Sequence, residues 1–199
     1  MQRYNPATAL LAVDVQNDFA DPEGSLYVKG GENVVPVINR EVAAAHASGA
    51  PVILTQDWHP PHTPHFAQDG GVWPVHCVAE TWGAELHPEL DVEGISIRKG
   101  SNGEDGYSGF TMRDHDSGET VPTELEGYLR ARSVERVVIC GLATDYCVKE
   151  TALDAVRLGF KTAVLTDAIA AVDLQPGDGD RAIEEMRAAG VVLWSTRMR

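Results

Sequence analysis

Six short apolar runs, set among stretches with helical spacing, constrain the fold of this chain more than any other feature of it. They are Leu10 to Val13, Val52 to Thr55, Ile95 to Ile97, Val137 to Cys140, Thr162 to Leu165 and Val191 to Trp194. Runs that are apolar at successive positions, instead of alternating, belong to strands covered on both faces, as in a parallel sheet between helices. The intervening segments carry helix punctuation. Pro36 falls in the first turn of a helix that runs to about Ser48 before Gly49, and Pro122 starts another with Leu125, Tyr128 and Leu129 on one face. Thr144 or Asp145 can cap a helix carrying Val148, Ala152, Ala155 and Leu158 up to Gly159; Asp178 or Asp180 opens the last, with Ile183 and Met186 before Gly190. Right-handed crossovers between such strands give an α/β protein: a three-layer αβα sandwich around a doubly wound, mostly parallel six-stranded sheet.

At 199 residues and 43% hydrophobic content the chain has enough material for one core, so a single domain over residues 1–199 is expected. Thirty acidic against 16 basic side chains leave a formal charge of −14, which repels phosphate backbones and anionic lipid and suits a small neutral or cationic ligand. Nucleic acid is excluded as a partner on this ground. No apolar run is long enough to cross a bilayer. The three cysteines, an odd number, and the lack of a basic–apolar–small leader predict a reducing cytoplasmic setting without a disulfide framework. Monomer and homo-oligomer both stay open.

In a doubly wound sheet, ligands bind beyond the carboxyl ends of the strands. Four segments lie there: 14–19, 56–77, 99–110 and 142–147. Cys147 sits in the first turn of a predicted helix just after an apolar strand, where unpaired N–H groups and the helix dipole favour a thiolate and can hold an oxyanion. Taken alone, such a cysteine is more often a small buried hydrophobe. Asp14 directly follows the first strand, where burial would raise its pKa and make it a proton acceptor, whereas a neighbouring cation would oppose that shift. Asp18 and Asn17 read as turn residues. Lys99 closes the third run, placed to stabilise nearby anions, although a lone lysine at a strand end is ordinarily a solvated charge.

Asp57 and His59, two apart in extended chain, point to the same side, and His65 and His76 follow in the same loop. Carboxylate plus imidazoles is a donor set for Zn, Fe or Mn, so one divalent transition metal per chain is expected. His46, His62, His87 and His115 read as ordinary polar positions, and Cys77 and Cys140 as packing. Phe19, Trp73 and Tyr107 lie in the same segments and can line a slot for a flat ring. The glycines at 100, 103, 106 and 109 do not match a dinucleotide fingerprint and predict a mobile loop.

Together these residues resemble the nicotinamidase branch of the isochorismatase-like cysteine hydrolases. The matching stretches are DVQNDF at 14–19, TQDWH at 55–59, WPVHC at 73–77, RKG at 98–100, YSGF at 107–110 and GLATDYCV at 141–148. The resemblance implies an Asp14–Lys99–Cys147 triad and a metal held by Asp57, His59 and His76, with His65 at a fourth position that varies among relatives. It also implies a cis peptide at Leu142–Ala143 and an oxyanion hole from the Ala143 and Cys147 N–H groups. Phe19 and Trp73 would flank the ring of nicotinamide, or of a pyrazinamide-like analogue. The loop from Gly100 to Gly106 does not align with the family pattern. Two other readings stand beside this one: a related cysteine hydrolase acting on another small amide of the carbamoyl type, and a non-catalytic metal- or thiol-sensing module on the same fold.

Overall fold

All six apolar runs form strands of one sheet. The computed structural model describes residues 3–196, so the ends of the expected 1–199 domain lie outside the described residues. In chain order the sheet strands are β1 (Thr8–Val13), β2 (Val52–Asp57), β3 (Ile95–Lys99), β6 (Arg136–Leu142), β7 (Lys161–Ala170) and β8 (Val192–Trp194). They pair in parallel in the order β3-β2-β1-β6-β7-β8. The chain winds outward from β1 in one direction and from β6 in the other, so the switch point lies between these two central strands, where α/β sheets open a crevice.

Helices cover both faces. On one side lies α2 (Val35–Ala47), with Pro36 in its first turn; a single turn, α1 (Asn17–Ala20), precedes it. On the other lie α3 (Leu125–Ala131), α4 (Lys149–Arg157) and α5 (Asp178–Ala188). The two cores follow from the period-two alternation of a strand. Leu10 and Ala12 of β1 pack with Ile38, Val42 and Ala45 of α2. Ala9, Leu11 and Val13 face the other way, onto Leu125, Leu129, Ala152, Ala155 and Met186. β6 divides likewise, with Val138 and Cys140 on the α2 side and Val137 and Ile139 opposite. This two-sided burial is why the strands read as unbroken apolar runs.

Two local expectations are corrected. Pro122 does not start a helix; it pairs with Thr111 in a small antiparallel hairpin of β4 (Thr111–Arg113) and β5 (Thr120–Pro122), where its missing N–H is tolerated at an edge. The turn into α3 is instead held by Thr123, whose Oγ1 accepts from the N–H of Leu125 at 3.2 Å. Neither Thr144 nor Asp145 caps the helix after β6 through its side chain. The Asp145 carboxylate is engaged elsewhere, accepting from the N–H groups of Val172 and Asp173, both at 2.9 Å, beyond the end of β7. No helix among the described residues is long and apolar enough to cross a membrane.

Candidate active site

The residues singled out at the carboxyl edge converge on the crevice beside β1 and β6. Asp14 leaves β1 with φ +47°, a left-handed conformation uncommon for a residue with a side chain, which ends the strand and turns its carboxylate inward. Its Oδ1 accepts from the hydroxyl of Thr55 at 2.6 Å, and its N–H donates to Thr55 O at 3.2 Å. Lys99, the last residue of β3, is only 2% exposed. Its Nζ lies 2.9 Å from Asp14 Oδ2 and 3.8 Å from Cys147 Sγ, and it forms an ion pair with Asp57. The Cys147 sulfur and a carboxylate oxygen of Asp14 lie within 4.8 Å of one another. Arg98 points away, its guanidinium stacked on Trp58 at 3.7 Å from the ring centre.

Cys147 lies in a wide π-helical turn, Thr144–Val148, that leads into α4. Tyr146 and Val148 both donate their N–H to Ala143 O, at 3.1 and 3.0 Å, which draws the turn back over the end of β6. The Leu142–Ala143 peptide is cis. Gly141 has φ +112°, and a Cβ there would fall 2.1 Å from the carbonyl oxygen of Val13, so only glycine lets β6 run this close to β1. The backbone positions expected to hold an oxyanion, Ala143 and Cys147, both line the cavity.

The charge state of this trio differs from the expectation drawn from helix placement. Burial pushes the Cys147 thiol well above its ordinary range; Lys99 pulls the other way, but Asp14 and Asp57 add to the rise. The proton therefore stays on sulfur in the free site, and a thiolate has to be made by a base. Asp14 suits that role, because burial raises its pKa against the opposing influence of Lys99. Burial also disfavours the ammonium of Lys99, but Asp14 and Asp57 outweigh it and hold the charge in place.

Beside the trio, His59, His65 and His76 are all buried, with one potential ligand atom from each lying within 4.8 Å of the others. Their outer contacts leave the inner nitrogens free to ligate. His76 Nδ1 is 2.7 Å from Pro74 O; a carbonyl only accepts, so Nδ1 carries the hydrogen and Nε2 the lone pair. His65 Nδ1 is 2.7 Å from Asp105 Oδ1, with the same consequence. Among the described residues neither ring nitrogen of His59 finds a hydrogen-bond partner although both are buried, which is costly unless a further group satisfies them. Burial pushes His59 down to about 4 against the pull of Asp57, and lowers His76 too, so these rings are neutral donors near neutral pH. Gly100, at φ +81°, backs His59: a Cβ there would lie 2.7 Å from its Nδ1.

Asp57 bridges the two groups. Burial opposes its ionisation, but Lys99, His59 and His76 outweigh that and hold it down at about 2. Its Oδ1 faces Lys99, and its Oδ2 lies 3.9 Å from His59 Nε2. The orphaned imidazole and the neutral nitrogen donors beside an ionised carboxylate fit a divalent transition metal.

Phe19, Trp73 and Tyr107 line one cavity together with Asp57, His65, His76, Ala143 and Cys147. The cavity is a narrow, largely apolar slot suited to one small flat molecule. Trp73 Nε1 donates to the Tyr107 hydroxyl at 3.0 Å, and burial pushes that hydroxyl up to about 12, so it stays neutral. Tyr146 completes the wall, edge-on to Trp73 and Tyr107 at 5.0 and 5.2 Å between ring centres. Leu26, Val28 and Val172 close the rest.

Sequence reasoning passed over several of these residues. Tyr146 was findable as the neighbour of Cys147. Gln16 reads as a bland loop residue, yet its amide clasps the Asp57 backbone, donating to Asp57 O at 2.7 Å and accepting from Asp57 N–H at 2.8 Å. Asp18 does more than shape its own turn: its carboxylate accepts from Ser25 and from Cys77, at 3.0 and 2.7 Å. Cys77 and Cys140 are buried as expected, with the Cys140 thiol directed to Leu11 O at 3.4 Å. His62 is exposed against Asp69 and takes no part in the cluster.

Residues 8–198 match the model of the isochorismatase domain. The chain is 41% identical to the nicotinamidase of Escherichia coli K12 over 96% of its own length and 95% of that protein's. Among solved structures it resembles the pyrazinamidase of Pyrococcus horikoshii in complex with zinc, at 39% identity and a TM-score of 0.85, covering 96% of this chain and 99% of that one. PnC1 from L. infantum, in complex with nicotinate, is 38% identical with a TM-score of 0.86, covering 96% and 93%.

Proposed function

The chain belongs to the isochorismatase-domain family, and from that premise we propose that it is a metal-dependent cysteine amidohydrolase converting nicotinamide to nicotinate and ammonia. The observation that carries this reading is the contact of the Cys147 thiol with both the Asp14 carboxyl and the Lys99 ammonium, within one pocket shared with three imidazoles. The likeness to a nicotinamidase and to a nicotinate complex supports the substrate. The imidazole cluster and aromatic slot favour a pyridine carboxamide, or a pyrazinamide-like analogue, over a carbamoyl compound. A base and a cation touching the thiol favour catalysis over sensing. The expected setting is the cytoplasm, in keeping with three free cysteines.

His59, His65 and His76, with Asp57, would hold one divalent cation per chain; the zinc complex of the Pyrococcus relative favours zinc over iron or manganese. When bound, it supplies a Lewis acid for the ring nitrogen and so orients the substrate. The chain's own groups then carry the chemistry. Asp14 accepts the Cys147 proton, and the sulfur attacks the carboxamide carbon. The resulting oxyanion is held by the Ala143 and Cys147 N–H groups, each such donor being worth about 3–4 kcal/mol in comparable sites. Lys99 holds the surrounding anions in place. Asp14 returns the proton to the leaving nitrogen, the C–N bond breaks, ammonia departs and a thioester remains. Asp14 next takes a proton from water, whose oxygen attacks the thioester; the C–S bond breaks, the proton returns to sulfur and nicotinate is released. Trp73, Tyr107 and Tyr146 confine the ring and exclude bulk water.

The test is ammonia release from nicotinamide, with elemental analysis of the same preparation. A metal-loaded protein that is inactive on nicotinamide and hydrolyses a carbamoyl amide instead would overturn the substrate assignment.

A further inference from the structure

Two loops meet above the imidazoles, 60–77 and 100–107, and they are tied at three levels. Thr63 Oγ1 donates to Gly103 O at 3.5 Å, Trp73 Nε1 donates to the Tyr107 hydroxyl at 3.0 Å, and between them His65 Nδ1 lies 2.7 Å from Asp105 Oδ1. The middle tie is the one that reaches a candidate ligand. Asp105 is itself held on both sides. Its N–H donates to Arg113 O at 2.8 Å and its carbonyl accepts from Arg113 N–H at 2.5 Å, pinning it to β4, while its Oδ1 also accepts from Gly106 N–H at 2.7 Å.

The three histidines are therefore oriented by different means. His76 is set by a carbonyl of its own loop, and His59 is wedged against Gly100. His65 alone, among the described residues of the cluster, is set by a charged group from another loop. A carboxylate on Nδ1 fixes the hydrogen there, turns the Nε2 lone pair inward and makes that nitrogen a stronger donor.

We propose that Asp105 is the positioning residue that recruits His65 to the metal, so that the Gly100–Gly106 loop, whose first residue backs His59, also joins the metal centre through this carboxylate. The inference rests on the metal-dependent reading above. On this view the loop that does not align with the family pattern decides whether the fourth ligand position is engaged.

The experiment is titration of metal-free protein with Zn²⁺, and separately with Co²⁺, whose visible absorption reports its coordination. Asp105→Ala is expected to weaken Zn²⁺ binding about 10–100-fold, the usual effect of removing a partner of a ligating histidine. Its Co²⁺ spectrum is expected to match that of His65→Ala. Asp105→Asn keeps an acceptor without the charge and is expected to fall between wild type and Asp105→Ala. In a His65→Ala background, Asp105→Ala should change affinity no further, because the two act as a unit. Wild-type affinity and spectrum in Asp105→Ala would overturn the proposal, as would an equal loss with His65 already removed, which would make Asp105 a general electrostatic or loop-folding residue. These are affinities of unliganded protein, so they are independent of hydrolysis. Failure of wild type to bind either ion would overturn the metal-dependent reading together with this one.

Discussion

Cys147 and Asp14 lie side by side, and which of them holds a proton decides what each residue can do. With the sulfur protonated in the free site, attack depends on Asp14 taking the proton. Cys147→Ala is therefore expected to reduce ammonia release to background while metal content by elemental analysis stays at the wild-type level; turnover without the thiol would remove it from the mechanism. Asp14→Asn should slow the acyl-enzyme burst by about 10²–10⁴-fold, the range for loss of a positioned base, and an unchanged burst would mean another base acts. Asp14 was legible because it stands at a strand end in a position too polar for packing alone, and Cys147 because it opens the helical turn that follows a buried strand. Asp105 was not, because a half-exposed aspartate in a glycine-rich loop looks like any turn residue until the partner across the gap is known.

Elements place these residues through backbone geometry that side-chain patterns only partly report. The junction of β6 with the turn carrying Cys147 requires Gly141, since a Cβ there meets the Val13 carbonyl oxygen at 2.1 Å and neither strand can yield. Gly141→Ala is expected to lower stability sharply, by several kcal/mol when overpacking and an adverse φ combine; urea unfolding should show this as a fall in midpoint, and a midpoint like wild type would refute it. The strands themselves were readable because burial on two faces leaves an unbroken apolar signature. The π-helical turn was not, because its extra residue per turn depends on how Ala143 O is shared between two donors.

At the scale of the molecule, metal binding and protonation are both linked to folding. A cation that binds only the folded chain stabilises it by about 2.7 kcal/mol at one hundred times its dissociation constant, so chelation is expected to lower Tm, and scanning calorimetry with and without chelator tests this. In the metal-free protein, His59 titrates at about 4 when folded against an ordinary 6.5. Between those values the unfolded chain binds a proton that the folded one does not. Stability should therefore fall as pH drops from about 6.5 to about 4, by up to about 1.4 kcal/mol per pH unit, with no further loss from this group below that. Asp57, held down at about 2, acts lower: its contribution is present above about 4 and is lost as pH falls towards 2. Denaturation midpoints flat from pH 7 to 4 would contradict the buried, neutral state of His59.

The sequence by itself determined the sheet, the edge of it at which the candidate site lies, and most of the residues that line that site, because apolar periodicity and strand-end position are local properties that survive without coordinates. Tertiary structure decided the rest. Whether the thiol carries its proton, whether Asp57 faces the ammonium or the imidazoles, and which carboxylate steadies His65 all depend on burial and on charges brought from distant parts of the chain. Electrostatic energy depends on separation and dielectric surroundings, and neither is fixed until the loops have closed over the site.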